Sequence, residues 1–212
     1  MQFKEFRFIY ISVDYLKKMY EADSEVFFVN DASYEKKPHL GILITEGNWK
    51  YVIPLTSAKK KHALWEDVTA TNYRIYEIIN IKKAVYDKDD IIVDIKNKDI
   101  MKGKLATGEN PDDYKQRILS ILEIKKMFPI IDGAFTYAEM DVVDGLDDKE
   151  RQRRILMQKE YQFCVGIKDD IQNKASKIYK KQLKSGKVLK FHCNYKKLET
   201  VAESYSMTNN HA

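Results

Sequence analysis

The sequence predicts an α+β protein: a mostly antiparallel sheet with three or four helices packed on it. Three observations predict it. Short runs rich in β-branched and aromatic residues recur from Phe6 to Ile131, and a Gly-Asn turn joins two of them into a hairpin. Apolar residues at helical spacing are concentrated between Asp147 and Gly186. The chain has 212 residues, 44% hydrophobic and 33% charged, which suits one domain over 1–212 and excludes a disordered chain. Eight Gly and four Pro are too few for a fibrous or linker-rich protein. The balance of 37 Lys and Arg against 32 Asp and Glu leaves a net charge of +5, which allows a nucleic-acid partner without demanding one.

Phe6 to Ile11 reads as a strand, and Ser12 caps a short helix with Tyr15, Leu16, Met19 and Tyr20 on one face. Glu25 to Val29 is a further strand candidate, and Asp31 to Lys37 a loop. His39–Thr45 and Trp49–Leu55 flank Glu46-Gly47-Asn48 as a hairpin, with Pro54 expected at its end or on an edge. Tyr73 to Tyr86 mixes helix and strand signals, and Ile91 to Ile100 carries strand alternation. Asn110-Pro111 predicts a helix to about Lys126, with Tyr114, Ile118, Ile121 and Leu122 inward. Met127 to Ile131 is a short apolar strand. Asp147 or Asp148 caps a long helical pattern with Leu156, Phe163, Ile167, Ile171 and Ile178 on one face. Gly166 is positioned to break it in two, and Gly186 to end it. Val188 to Phe191 is a last strand candidate, and the tail beyond about Tyr205 is expected to fray.

Several patterns carry no chemistry. Gly103 and Gly108 have P-loop spacing, but Glu109 stands where lysine is needed. Ser57-Ala-Lys-Lys60 matches the Ser-x-x-Lys of penicillin-recognising enzymes, yet the rest of that pattern is missing. The acidic pairs Asp89-Asp90, Asp112-Asp113, Asp147-Asp148 and Asp169-Asp170 fall at turns and helix starts. His39, His62, His192 and His211 show no metal-ligand spacing, so neither a metal nor a cofactor is expected. Cys164 and Cys193 lie far apart and read as core thiols of a reducing compartment. The N-terminus lacks a signal-peptide pattern, and no run approaches the ~18 apolar residues of a membrane span. A cytoplasmic protein with no membrane partner is expected.

The chemistry-bearing segment is Tyr34-Glu-Lys36-Lys37-Pro38-His39-Leu-Gly41-Ile, the hairpin, then Pro54-Leu-Thr56-Ser57-Ala-Lys59-Lys60-Lys61-His62. The hairpin brings Lys37 near Ser57, so hydroxyls and ammonium groups converge at one sheet end. A Lys-rich strand end is most often a solvated rim, but metal-free RNA cleavage needs those same groups. The 2′-hydroxyl must lose a proton, the 5′-oxygen must gain one, and cations must hold the phosphate. Repulsion among neighbouring lysines favours the neutral form of one of them.

These residues resemble the signature of the ToxN/AbiQ family, the endoribonuclease toxins of type III toxin–antitoxin systems. Members read Lys-x-Phe-x-Gly-Ile, then Tyr-x-x-Pro-Leu-Thr/Ser-Ser-Pro-Lys-x-x-His. Similar stretches extend from Tyr10-Ile-Ser through Met127-Phe-Pro-Ile, Arg154 to Ser176, and Gly186-Lys to Cys193-Asn194-Tyr195. Ala58 stands where members have proline.

The resemblance implies a compact, strongly twisted sheet or partial barrel like the plasmid-toxin barrel. It implies metal-independent cleavage leaving 2′,3′-cyclic phosphate and 5′-hydroxyl ends. It also implies a small pseudoknotted RNA antitoxin, encoded as tandem repeats, that the toxin cuts and is then inhibited by in a closed protein–RNA assembly. The implied role is phage abortive infection or plasmid maintenance, with cellular or phage RNA as substrate and no DNA partner. By position, Thr56 and Ser57 contact the scissile phosphate, Lys37 and Lys59 supply charge or proton transfer, and Tyr34, or Ser33 in its place, lines the site. Lys36, Lys60, Lys61, His62, Arg151, Arg153, Arg154, Lys187 and Lys190 are candidates for holding RNA, with Tyr195 as a stacking platform. The alternatives are a non-catalytic RNA-binding protein that uses the same basic groove and a plain protein-interaction domain.

Overall fold

The computed structural model describes residues 3–29, 37–44, 47, 49–101, 105 and 108–209. β1 (Phe8–Ile11) opens the sheet, and Ser12 ends it. The Ser12 hydroxyl accepts the Tyr15 N–H at 3.4 Å and caps α1 (Val13–Ala22), whose Tyr15, Leu16 and Met19 are buried. The segment after α1 turns back on itself: the N–H groups of Glu25 and Val26 bond to Asp23 at 3.0 Å, so the strand expected over Glu25–Val29 is absent.

β2 (His39–Ile44) and β3 (Trp49–Ser57) form the expected hairpin, in register from Ile44 opposite Trp49 to His39 opposite Pro54. Gly47 has a φ of +87°, which a turn can require and glycine adopts without strain. Thr45, Glu46 and Asn48 lie outside the described residues. β3 continues past its partner. Leu55, Thr56 and Ser57 pair instead with Leu122, Ile121 and Ser120 of β6 (Tyr114–Glu123). Pro54 pairs with His39 at the end of the hairpin, as expected, at the residue where β3 changes partners.

The helix expected over Pro111–Lys126 is a correction. Asn110 does accept the Asp112 N–H at 3.1 Å, but it caps a single turn over Pro111–Asp113. The chain then extends as β6, with Gln116, Ile118 and Ser120 buried at strand period. Partners on both sides explain the choice: β6 pairs with β4 (Asn72–Asn80), β5 (Ile91–Asp94) and β3. Two short strands, β7 (Phe128–Pro129) and β8 (Phe135–Tyr137), complete an antiparallel sheet that has eight strands among the described residues. Its strand order is β4-β6-β3-β2-β1-β8, with β5 on β6 and β7 on β3, and its path is open at β4 and β8.

Asp147 caps α2 (Asp148–Gly166) by accepting the Glu150 N–H at 2.7 Å, and α3 (Lys168–Ser185) follows the break at Gly166. Gly186 ends α3 in the left-handed conformation, φ +63°. The break restarts the helical period, so the buried faces differ from the single face expected. α2 buries Met157, Glu160 and Cys164, while Leu156 is exposed. α3 buries Ile171, Ala175, Tyr179 and Gln182. Val188 to Phe191 is not a strand: Val188, Leu189 and Phe191 are exposed, and Phe191 has a φ of +65°. α4 (Tyr195–Asn209) packs on α1 and β7, with the Tyr205 ring 5.1 Å from Tyr15; of the tail expected to fray beyond about Tyr205, the stretch to Asn209 is helical and residues 210–212 lie outside the described residues. The buried carboxylate of Glu199 accepts the hydroxyls of Tyr51 at 2.9 Å and Tyr179 at 2.6 Å, joining β3, α3 and α4. Cys164 and Cys193 are buried free thiols.

Candidate active site

The change of partners at Pro54 is what builds the site. It carries Thr56 and Ser57 out of the hairpin and onto β6, beneath α2. A cleft of about 380 Å³ opens there, walled by Leu55, Thr56 and Ser57 of β3, Leu119 and Ser120 of β6, and Arg153, Leu156, Met157 and Glu160 of α2. Lys37 and Pro38, just before β2, complete the wall. Three of the five expected catalytic residues thus share one cleft: Lys37, Thr56 and Ser57. Tyr34 lies outside the described residues, as does Ser33.

Each side chain has a definite setting. The Thr56 hydroxyl donates to the Glu123 carboxylate at 3.3 Å and lies 3.5 Å from the Ile121 carbonyl. Ser57 is exposed, opposite Ser120 in register, and the Ala58 N–H extends the pairing to the Leu119 carbonyl at 3.4 Å. Burial pushes the Lys37 ammonium below its ordinary pKa, repulsion from Lys59 adds to the shift, and Glu123 opposes it. The Lys37 ammonium also lies 5.8 Å from the Phe27 ring centre.

Lys59 is exposed at the head of a single helical turn, Lys60–Leu64. Its N–H donates to His62 Nδ1 at 3.0 Å, and its carbonyl accepts the His62 N–H at 2.7 Å. His62 is therefore a buried clasp of this turn rather than an exposed RNA contact, and its ring lies 4.5 Å from Trp65. Arg74, fully buried in β4, anchors the same turn. Its guanidinium donates to the carbonyls of His62 (3.3 Å) and Ala63 (3.2 Å), to Gln116 (3.2 Å) and, through Nε, to Asp67 (2.9 Å).

The remaining RNA candidates divide. Lys60 and Lys61 are exposed beside Lys59, with the Lys61 ammonium 5.8 Å from the Trp65 ring centre. Arg153 lines the cleft, gripping Glu150 at 2.8 and 2.5 Å and bonding the Tyr10 hydroxyl. Arg154 bonds Glu150 at 2.9 Å and the Asp141 carbonyl at 2.7 Å; the two arginines together hold the Glu150 carboxyl down at about 2. Arg151 is half-buried in the first turn of α2. Lys187 and Lys190 are exposed on the segment after α3 and line other depressions. Tyr195 is a correction: it is fully buried, its hydroxyl 3.4 Å from the Lys125 carbonyl, so no base can stack on it. Lys36 lies outside the described residues.

Sequence reasoning missed Glu123, Glu160 and Arg74. The signal for Glu160 is a lone acid between Met157 and Cys164 at helical spacing, on the face that α2 buries. For Arg74 it is a charge inside the β-branched and aromatic run Tyr73-Arg-Ile-Tyr. Among the described residues no group of three or more His, Cys, Asp or Glu side chains is placed to hold a metal ion. No helix among them is long and apolar enough to cross a membrane.

An open antiparallel sheet with a cationic, hydroxyl-bearing cleft at one end has the chemistry to receive a phosphodiester. The family model for the ToxN toxin of type III toxin–antitoxin systems matches residues 7–203, and the chain belongs to that family. Endoribonuclease AbiQ of Lactococcus lactis subsp. lactis is 24% identical over 208 residues, covering 94% of this chain and 89% of the relative. A solved structure of AbiQ, described as a lactococcal anti-phage endoribonuclease of the type III class, superposes with a TM-score of 0.64 at 20% identity, covering 95% of this chain and 98% of that one. A second, from work on selective toxin inhibition by a non-coding RNA pseudoknot, gives 0.63 at 21% identity, covering 94% and 97%. These superpositions establish the shared fold.

Proposed function

We propose that this toxin is a metal-independent, sequence-selective endoribonuclease. In this reading the RNA's own 2′-hydroxyl attacks the adjacent phosphorus, leaving a 2′,3′-cyclic phosphate and a 5′-hydroxyl. Cellular or phage RNA is the substrate. A pseudoknotted RNA antitoxin, cut from tandem repeats by the toxin itself, then occupies and inhibits the site in a closed assembly. The role is abortive infection of phage or plasmid maintenance.

One observation carries the reading: Lys37, Thr56 and Ser57 line a single cleft, with the charge of Lys59 acting on Lys37. Ser57, exposed at the strand end, donates to a non-bridging phosphate oxygen. Thr56, hydrogen-bonded to Glu123, steadies the strand beneath it. Lys59 balances charge as the pentacovalent phosphate forms. Lys37, half-buried and held below its ordinary pKa, is suited to proton transfer.

The test is Ser57→Ala incubated with RNA in a chelator. Loss of one oxyanion donor should cut the rate by ~10²–10³ while leaving folding and antitoxin-RNA binding intact. Wild type should leave cyclic-phosphate ends under the same conditions. Salt-sensitive RNA binding with no cleavage by wild type would instead select the non-catalytic RNA-binding protein.

A further inference from the structure

The cleft contains a carboxyl group to which the mechanism above gives no part. Glu160 projects from α2 into the wall facing Ser57 and Ser120, and only 4% of it is exposed. Most buried carboxyls have a cation beside them. Among the described residues Glu160 forms no ion pair: Arg153 is committed to Glu150 and Tyr10, and Lys159 to Glu77. We propose that Glu160 is a catalytic residue of this cleft, the general base that takes the proton from the attacking 2′-hydroxyl.

This rests on the nuclease reading and fills its open role. The step balances without a metal or co-reactant. The 2′-oxygen forms a bond to phosphorus as its proton passes to the Glu160 carboxylate. The P–O5′ bond breaks as the Lys37 ammonium gives its proton to the leaving 5′-oxygen. Both groups return to their starting states by exchange with water.

The surroundings suit the role. Burial is the main cause lifting the Glu160 carboxyl to about 7, with the Ser120 hydroxyl pulling the other way. A base that titrates near working pH combines a large ionised fraction with real basicity. The other groups packed around it leave its proton free to move. β6 contributes Ser120 and β3 contributes Thr56 and Ser57, all neutral, while Lys37 lies across the cleft. On α2 itself, Cys164 is a buried thiol kept protonated. From β4, Tyr76 packs on Phe163, and Glu77 is held by Arg117 and Lys159. From β1, Tyr10 is bound by Arg153.

The experiment compares wild type, Glu160→Gln and Ser57→Ala on a long labelled transcript of mixed sequence across pH 5–9, with a melting curve for each. Glu160→Gln should cleave ~10²–10⁴-fold more slowly, and the acidic limb of its pH–rate profile, centred near 7 in wild type, should vanish. Filter binding should show that Ser57→Ala and Ser57→Ala/Glu160→Gln hold the transcript equally. A Glu160→Gln enzyme with the wild-type rate and acidic limb overturns the assignment while leaving the nuclease reading standing. Should Glu160→Gln fail to fold, Glu160→Asp replaces it: a slower enzyme that keeps its acidic limb is expected, and an unchanged rate overturns the proposal. If wild type leaves the transcript whole, the nuclease reading itself falls and takes this one with it.

Discussion

Replacing Arg74 with methionine separates the anchoring of the Lys59 turn from its chemistry. The guanidinium is fully buried and serves four partners: Asp67, Gln116 and the carbonyls of His62 and Ala63. Methionine keeps most of the stem's volume and removes every donor. The Asp67 side chain is 24% exposed and rehydrates in part, so its loss is discounted. The other three acceptors each lose a charge-assisted bond worth about 1.5 kcal/mol, a cost of roughly 4.5 kcal/mol. With a urea slope of about 2 kcal/mol per molar, the unfolding midpoint should fall by about 2 M. Arg74→Lys should recover little, because an ammonium cannot span acceptors set out for a planar fork. At temperatures where the variant is fully folded, RNA cleavage should still be reduced, since the turn behind Lys59 has lost its tie to the sheet. A midpoint within about 0.5 M of wild type would refute the argument that this arginine holds the turn.

Other perturbations reach the rest of the structure. His39 is fully buried, and burial holds its pKa down to about 3. Its folded value lies below the unfolded one, so the stability it confers is whole above about pH 6.5 and is lost as pH falls toward 3, by up to ~1.4 kcal/mol per pH unit. Stability of His39→Gln should therefore fall less steeply between pH 6 and 4 in urea titrations at stepped pH; an unchanged slope would contradict this. Glu199→Leu strands two buried tyrosine hydroxyls and should cost about 3 kcal/mol, seen by calorimetry as a drop of roughly 6–12 °C in Tm. Lys37→Arg keeps the charge but gives up the exchangeable proton, so cleavage should collapse while filter binding of RNA stays near wild type. Glu160→Gln removes a carboxyl that burial penalises when ionised, so at pH 8 it should be more stable than wild type by roughly 2–3 kcal/mol, with the difference closing as pH falls to 5.

What the sequence made legible follows from range. The Ser12 and Asp147 caps, the hairpin and the Gly186 stop depend on neighbours a few residues away, and all stand as read. β6 does not, because Tyr114-Lys-Gln-Arg-Ile-Leu-Ser-Ile-Leu-Glu fits helix and strand periods alike. Its identity is decided by β3 and β4, strands that lie more than thirty residues away. The cleft was half legible for the same reason. Lys37, Thr56 and Ser57 are joined by the hairpin, a local device. Glu160 enters only through the packing of α2, and its facing direction depends on where the helix breaks. Tyr195 failed as an RNA contact because burial belongs to the assembled fold and not to a residue type.

The path of β3 has a consequence for synthesis on the ribosome. Residues 37–57 emerge early, but the strand that receives Thr56 and Ser57 ends at Glu123, and the helix roofing them runs to Gly166. A stalled or prematurely terminated product lacking those segments carries the lysines and hydroxyls of the motif with no cavity to concentrate them. Such fragments should be inactive, so the cleft comes into being as a late, all-or-nothing event in the making of each molecule.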